Sequence, residues 1–174
     1  AKARSSTICI VGPQAILNEL LAKNIGTELR VPCRCFCDIS ALPAPYEKPN
    51  YYPHHLIVLC DCHGIHPNDI VPRVCLLPQT QENAIRVALF NVPDDMKGSI
   101  ERDLIKHGIR GVFFSADGLE LILKGIQSLL KGELWFSRDA ISDCIFNVKE
   151  MVLSKCEDDN SLTRREREIL FLLA

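Results

Sequence analysis

The chain has 174 residues, 47% of them apolar, and its 20 Lys and Arg against 22 Asp and Glu leave a net charge of −2. That is enough apolar material for one domain with a full core, and the charge excludes a grip on nucleic acid by bulk positive field. No apolar run approaches the ~18 residues of a membrane span. The opening residues 1–6 also lack the apolar centre of a secretory signal, so a cytoplasmic chain is expected.

Thr7 to Val11 is a β-branched apolar run closed by Gly12 and Pro13, and it predicts a buried strand. Helical spacing follows from Ala15 to Ile25. A second strand is expected from Leu29 to Phe36. Residues Asp38 to Pro53 hold four prolines and no helical pattern, so a loop is expected where an alternating fold would place a helix. A third strand runs from Leu56 to Leu59 and ends at Cys60 and Asp61. A short helix is predicted over Asn68–Leu77, with Pro72 tolerable only near its first turn. A fourth strand covers Arg86–Phe90, an amphipathic helix Pro93–Lys106, and a fifth strand Gly111–Phe114. Further helices are expected over Gly118–Leu130 and Ala140–Leu153, and then a polar linker. Five strands alternating with helices predict an α/β fold: a flavodoxin-like, doubly wound, five-stranded parallel sheet with ligands at the carboxyl ends of the strands.

The chain has nine cysteines and no secretory signal, so reduced thiols are the default. Cys33, Cys35 and Cys37 alternate along a strand at ~6.5–7 Å, too far apart for an undistorted disulfide. Cys60 and Cys62, with His63 and His66 beyond, admit a thiol or metal sensor, but buried free cysteines account for them as well, and no metal is expected. No Gly-rich phosphate loop, nucleophile elbow or paired-carboxylate signature is present, so an enzyme is not expected.

The last stretch opens with a capping-box pattern, Thr163 with Glu166 three residues on. Leu162 to Ala174 resembles the first helix of the LuxR/FixJ-type helix-turn-helix domain, which begins Leu-Thr-x-Arg-Glu-x-Glu-(Val/Ile)-Leu. The resemblance implies a regulatory domain followed by the start of a DNA-binding domain, without the helix that would read the major groove. It divides the chain into a receiver-like domain at 7–131, a linker with an extra dimerisation helix at 132–155, a polar linker at 156–161 and the incomplete DNA-binding domain at 162–174.

The segment Gly108-Ile-Arg-Gly-Val-Phe-Phe114 is similar to the fifth strand of response-regulator receiver domains. In that family an aspartate after strand three accepts a phosphoryl group, and an acidic pair after strand one holds Mg²⁺. The resemblance puts the acceptor at Asp61. It puts the acidic pair at Gly12 and Pro13, the Ser/Thr of strand four at Asn91 and the Lys of strand five at Ser115. A lone carboxylate holds Mg²⁺ poorly. Asp61 is therefore expected to be a vestigial acceptor, with no efficient phosphotransfer from acetyl phosphate.

Trp135, Phe136, Ser137 and Arg138 match the pattern Trp-(Phe/Leu/Met)-(Thr/Ser)-Arg, found at this place in the VpsT/CsgD-like branch of LuxR-type regulators. In that branch the pattern binds cyclic di-GMP at a receiver dimer interface. The resemblance implies Arg138 on guanine or phosphate, Ser137 as a phosphate donor, and Trp135 with Phe136 as a stacking wall. It implies a transcription regulator that dimerises on cyclic di-GMP and acts on DNA. The competing reading of the same residues is structural: Trp135 and Phe136 in the core, Ser137 as a helix cap, and a ligand-independent interaction module.

Overall fold

The computed structural model describes residues 6–42, 55–75, 77 and 84–146. The strands are β1 (Ser6–Val11), β2 (Cys33–Phe36), β3 (His55–Asp61), β4 (Ala84–Val92) and β5 (Gly111–Phe114). They form one sheet in the order β2-β1-β3-β4-β5 with every pairing parallel, so the expected fold is the one observed. The helices are α1 (Ala15–Leu29), α2 (Pro67–Cys75), α3 (Glu101–Lys106) and α4 (Leu119–Lys131), and residues 138–146 are helical where the description ends. The linker at 156–161, the helix-turn-helix resemblance at 162–174 and most of the Pro-rich loop lie outside the described residues.

Strand alternation divides the core. On one face Ile8, Ile10, Ile57, Leu59, Ala88 and Phe90 meet Ile25 of α1 and Ile126 and Leu129 of α4. On the other, Cys9, Val11, Val58, Cys60, Val87 and Leu89 meet Ile70, Val71 and Val74 of α2 and Leu104 of α3. Apolar residues face both ways along β1, β3 and β4, because a parallel sheet is covered on both sides.

Several boundaries differ from the expectation. Helix α1 runs on through Leu29, which packs beside Ile25, and closes at Arg30 in the left-handed region; β2 starts only after Pro32. The helix expected over Pro93–Lys106 is two pieces, a 3-10 turn at Asp94–Met96 and the six residues of α3. Gly98 at φ +81 turns the chain between them. Pro72 sits beyond the first turn of α2, where its missing N–H is outweighed by burial of the three apolar side chains around it.

Candidate functional site

The fold brings Gly12, Asp61, Asn91 and Ser115 together at the carboxyl end of the sheet, where β1, β3, β4 and β5 finish. Asp61 is only 3% exposed. Its Oδ1 accepts the Asn91 amide at 2.8 Å and the His63 backbone N–H at 3.0 Å. Its Oδ2 is buried and has no hydrogen-bond partner. Asn91 lies in a β-bulge between Leu89 and Val92 at φ +56, a conformation that asparagine tolerates better than most residues. The bulge leaves Asn91 bonded to Asp61 from within β4.

Gly12 is more than an absence of metal ligands. A Cβ placed there would fall on the Cβ of Asp61, with Asp61 Oδ2 at 3.1 Å and the Asn18 amide at 3.2 Å. Asn18, itself buried, donates to the Gly12 carbonyl at 3.3 Å. Any side chain at position 12, acidic or not, must displace Asp61. The Ser115 hydroxyl donates to the Val92 carbonyl at 3.2 Å. The pocket is closed by packing and internal hydrogen bonds.

The four residues 135–138 lie at the far edge of the same sheet. Trp135 donates its N–H to the Arg110 carbonyl at 2.9 Å and accepts from Val112 at 3.0 Å, a single parallel bridge beside β5. Its ring stacks on Phe113 at 6.2 Å between centroids. Gly125 of α4 makes room for the pair: a Cβ there would collide with the Phe113 ring and lie 2.7 Å from Trp135 Cε2. Phe136 turns to the opposite face and packs against the α2/α3 core. Ser137 donates its N–H to Glu101 Oε1 at 2.7 Å and its hydroxyl to Glu101 Oε2 at 2.9 Å. The hydroxyl also accepts the Ala140 N–H at 3.2 Å, an N-cap for helix 138–146. Arg138 is exposed at the start of that helix. Three of the four residues thus anchor the segment from within, and Arg138 alone is offered outward.

Sequence reasoning passed over two contributors to this dock. Glu101 is a carboxylate in a helix expected to be amphipathic, yet it is 1% exposed and its partner lies 36 residues away. Arg86 donates to the Leu129 and Leu130 carbonyls at 2.9 and 3.0 Å and so closes the C-terminus of α4 just before the segment. Burial, with the Arg110 guanidinium close by, holds Arg86 below its ordinary pKa.

Among the described residues Cys9, Cys33, Cys35 and Cys60 lie in strands, and Cys144 lies in helix 138–146. Burial pushes the Cys60 thiol up to about 12, helped by the Asp61 charge, and raises Cys62 as well. His63 and His66 are exposed. Among the described residues no group of three His, Cys, Asp or Glu side chains comes together to hold a metal ion.

The parallel sheet, its strand order and the aspartate at the end of β3 define a receiver-like fold. The regulatory domain of the master biofilm regulator CsgD superposes on 80% of this chain and 98% of its own length with a TM-score of 0.61 at 20% identity. The non-phosphorylated receiver domain of the stress response regulator RcsB from Escherichia coli covers 77% of this chain with a TM-score of 0.51 at 17% identity.

In sequence, the chain is 34% identical over 90 residues to the probable csgAB operon transcriptional regulatory protein of Salmonella typhimurium. It is 33% identical over 91 residues to the CsgBAC operon transcriptional regulatory protein of Escherichia coli. Those alignments take in 52% of this chain and 40% of each relative, so the chain matches well under half of their length. No family model matches the sequence.

Proposed function

We propose that this chain is the regulatory module of a CsgD-type transcription regulator, controlled without phosphorylation, that takes cyclic di-GMP through Arg138 and dimerises on it. The observation that carries the reading is the footing of Arg138. Trp135, Phe136 and Ser137 are fixed by the fold, and the guanidinium follows them, exposed, in the first turn of a helix. A guanidinium held this way can stack on a guanine, bond its O6 and N7 edge, or pair with a phosphate. The closed pocket around Asp61 supports control by some other route than phosphoryl transfer. The names of the sequence relatives support a role in transcription. DNA is then the final partner, reached through the helix-turn-helix that residues 162–174 resemble, in a cytoplasmic protein. Among the described residues no helix is long and apolar enough to cross a membrane.

Calorimetric titration with cyclic di-GMP, with light scattering on the same samples, tests this directly. Binding with a shift from monomer to dimer in the unaltered chain, and loss of both in Arg138→Ala, is the expected outcome.

A second reading is favoured by one observation. The Ser137 hydroxyl already has both a donor and an acceptor partner, and the carboxylate beneath it would repel a phosphate. In that reading the module assembles without a small ligand, using apolar residues that it exposes, such as Ile145 and Phe146. A dimer whose population does not respond to nucleotide would select it.

A further inference from the structure

The most deeply placed charge in the described chain outside the Asp61 pocket is Glu101, the first residue of α3, and all its partners are neutral donors. Oε1 takes the Ser137 N–H at 2.7 Å. Oε2 takes the Ser137 hydroxyl at 2.9 Å and the Gly98 N–H at 3.2 Å. A buried carboxylate is costly to keep unless its oxygens are well supplied with donors, and removing one donor exposes that cost. Two of the three donors here belong to one residue. That residue is the cap of helix 138–146, since the same hydroxyl accepts the Ala140 N–H.

Further contacts join the same two helices. Arg102 pairs with Asp143 at 2.8 Å, and the Cys144 thiol lies 4.0 Å from the Arg102 carbonyl. Both are at the surface and weak. Apolar packing at Phe136 and Ala140 holds the helix close, but dispersion contacts have less direction than hydrogen bonds. Hydrogen bonds from the amide and the hydroxyl of one residue to the two oxygens of one carboxylate do have direction. They tie the residue that caps helix 138–146 to the first residue of α3.

We propose that Glu101 is a positioning residue: its carboxylate latches Ser137 to α3 and thereby sets the direction in which Arg138, and further along Ile145 and Phe146, are presented. The Gly98 N–H extends the latch into the turn that follows β4, a few residues from Asn91 and its bond to Asp61. The vestigial acceptor pocket and the docked helix are therefore joined by one short segment. The consequence for Arg138 rests on the cyclic di-GMP reading; the latch itself does not.

The test compares the unaltered chain with Glu101→Gln and Ser137→Ala by amide hydrogen exchange and by cyclic di-GMP titration. Glutamine keeps the size of the side chain but turns an NH₂ toward one set of donors, so either the Ser137 N–H bond or the pair of bonds on Oε2 is lost, and at most two of the three survive in their present form. The latch predicts exchange at least tenfold faster at Ser137, Ala140 and the amides of 138–146 in Glu101→Gln, with β3 and β4 protected as before. Ser137→Ala, which keeps the N–H bond, gives a smaller increase in the same segment. Unchanged exchange over 137–146 in a folded Glu101→Gln overturns the latch. If that variant does not fold, unchanged exchange in Ser137→Ala overturns it equally.

In the binding arm, Glu101→Gln lowers the affinity for cyclic di-GMP tenfold or more while the sheet stays protected, an effect a merely stabilising residue would not produce. A released helix with unaltered affinity overturns the positioning of Arg138. An unaltered chain that binds no cyclic di-GMP fails the proposed function instead, and the exchange data alone then decide the latch.

Discussion

Replacing Gly12 with alanine adds a single methyl, and the structure says where it goes. The new Cβ lands on the Asp61 Cβ, well inside the ~3.5–4.0 Å at which carbon atoms rest. Asn18 and the Asp61 carboxylate close the other directions, at 3.2 and 3.1 Å. Overpacking of this kind costs roughly 1–3 kcal/mol. Turning the Asp61 side chain leaves its Cβ in place, so relief needs a shift of the backbone at position 12 or 61, which disturbs the Asp61 bonds to Asn91 and to the His63 N–H at a further cost of roughly 1–3 kcal/mol. A total of about 2–6 kcal/mol lowers the melting temperature of a chain this size by roughly 4–24 °C. Thermal and urea unfolding measure it. The clash has a named partner, so a double-mutant cycle identifies it. In an Asp61→Gly background the same Gly12→Ala change should cost less than about 1 kcal/mol. Gly12→Ala within about 0.5 kcal/mol of the unaltered chain would refute the close approach, and with it the account of why position 12 carries no acid.

Trp135→Ala removes the ring stacked on Phe113 and empties the space that Gly125 leaves for it, at a cost of about 3 kcal/mol by chemical unfolding; a loss under about 1 kcal/mol would put the ring outside the core. Arg86→Ala takes the guanidinium from the Leu129 and Leu130 carbonyls and leaves Leu129 only the Gly132 N–H, which predicts a loss of about 1.5–3 kcal/mol and faster exchange in the last turn of α4; a stable, protected helix end would contradict it. The thiols predict an alkaline limit. Burial raises Cys60 from its ordinary 9.0 to about 12 and Cys9 to about 11, so the folded chain holds these protons after the unfolded chain has released them. Their contribution is intact below pH 9.0 and is lost as pH rises toward 11 and 12. A urea midpoint that does not fall between about pH 8 and about pH 10.5 would contradict that linkage.

The sheet was legible because its strands are short, apolar and β-branched and end at turn residues; β5 matches the expected Gly111–Phe114 residue for residue. The parallel pairing of the strands followed from their alternation with helices. What local pattern misjudged was where competing signals overlap. Leu29 and Val31 look alike in a strand window, but Leu29 completes the buried side of α1 beside Ile25. The periodicity over 93–106 is real, yet a left-handed Gly98 divides it. At the candidate site, the resemblance located Asp61, Gly12 and Asn91, but a spacing argument has no means of showing that Gly12 is in contact with Asp61. The role of Glu101 was hidden for the opposite reason. Charged residues are rarely buried, and two of the three donors that make burial tolerable here come from a segment far along the chain. The sequence offered Ser137 two roles, a cap and a ligand contact; its hydrogen bonds show the cap, with Glu101 as the second partner.

The central claim is that a receiver-like module has replaced phosphoryl transfer with recognition of a cyclic dinucleotide at Arg138. Titrating the chain with cyclic di-GMP in a calorimeter, while following mass by light scattering, tests it most directly. Saturable heat with doubling of mass, both abolished in a folded Arg138→Ala variant, is the predicted result. No heat and a constant mass, or equal binding by Arg138→Ala, would contradict the claim.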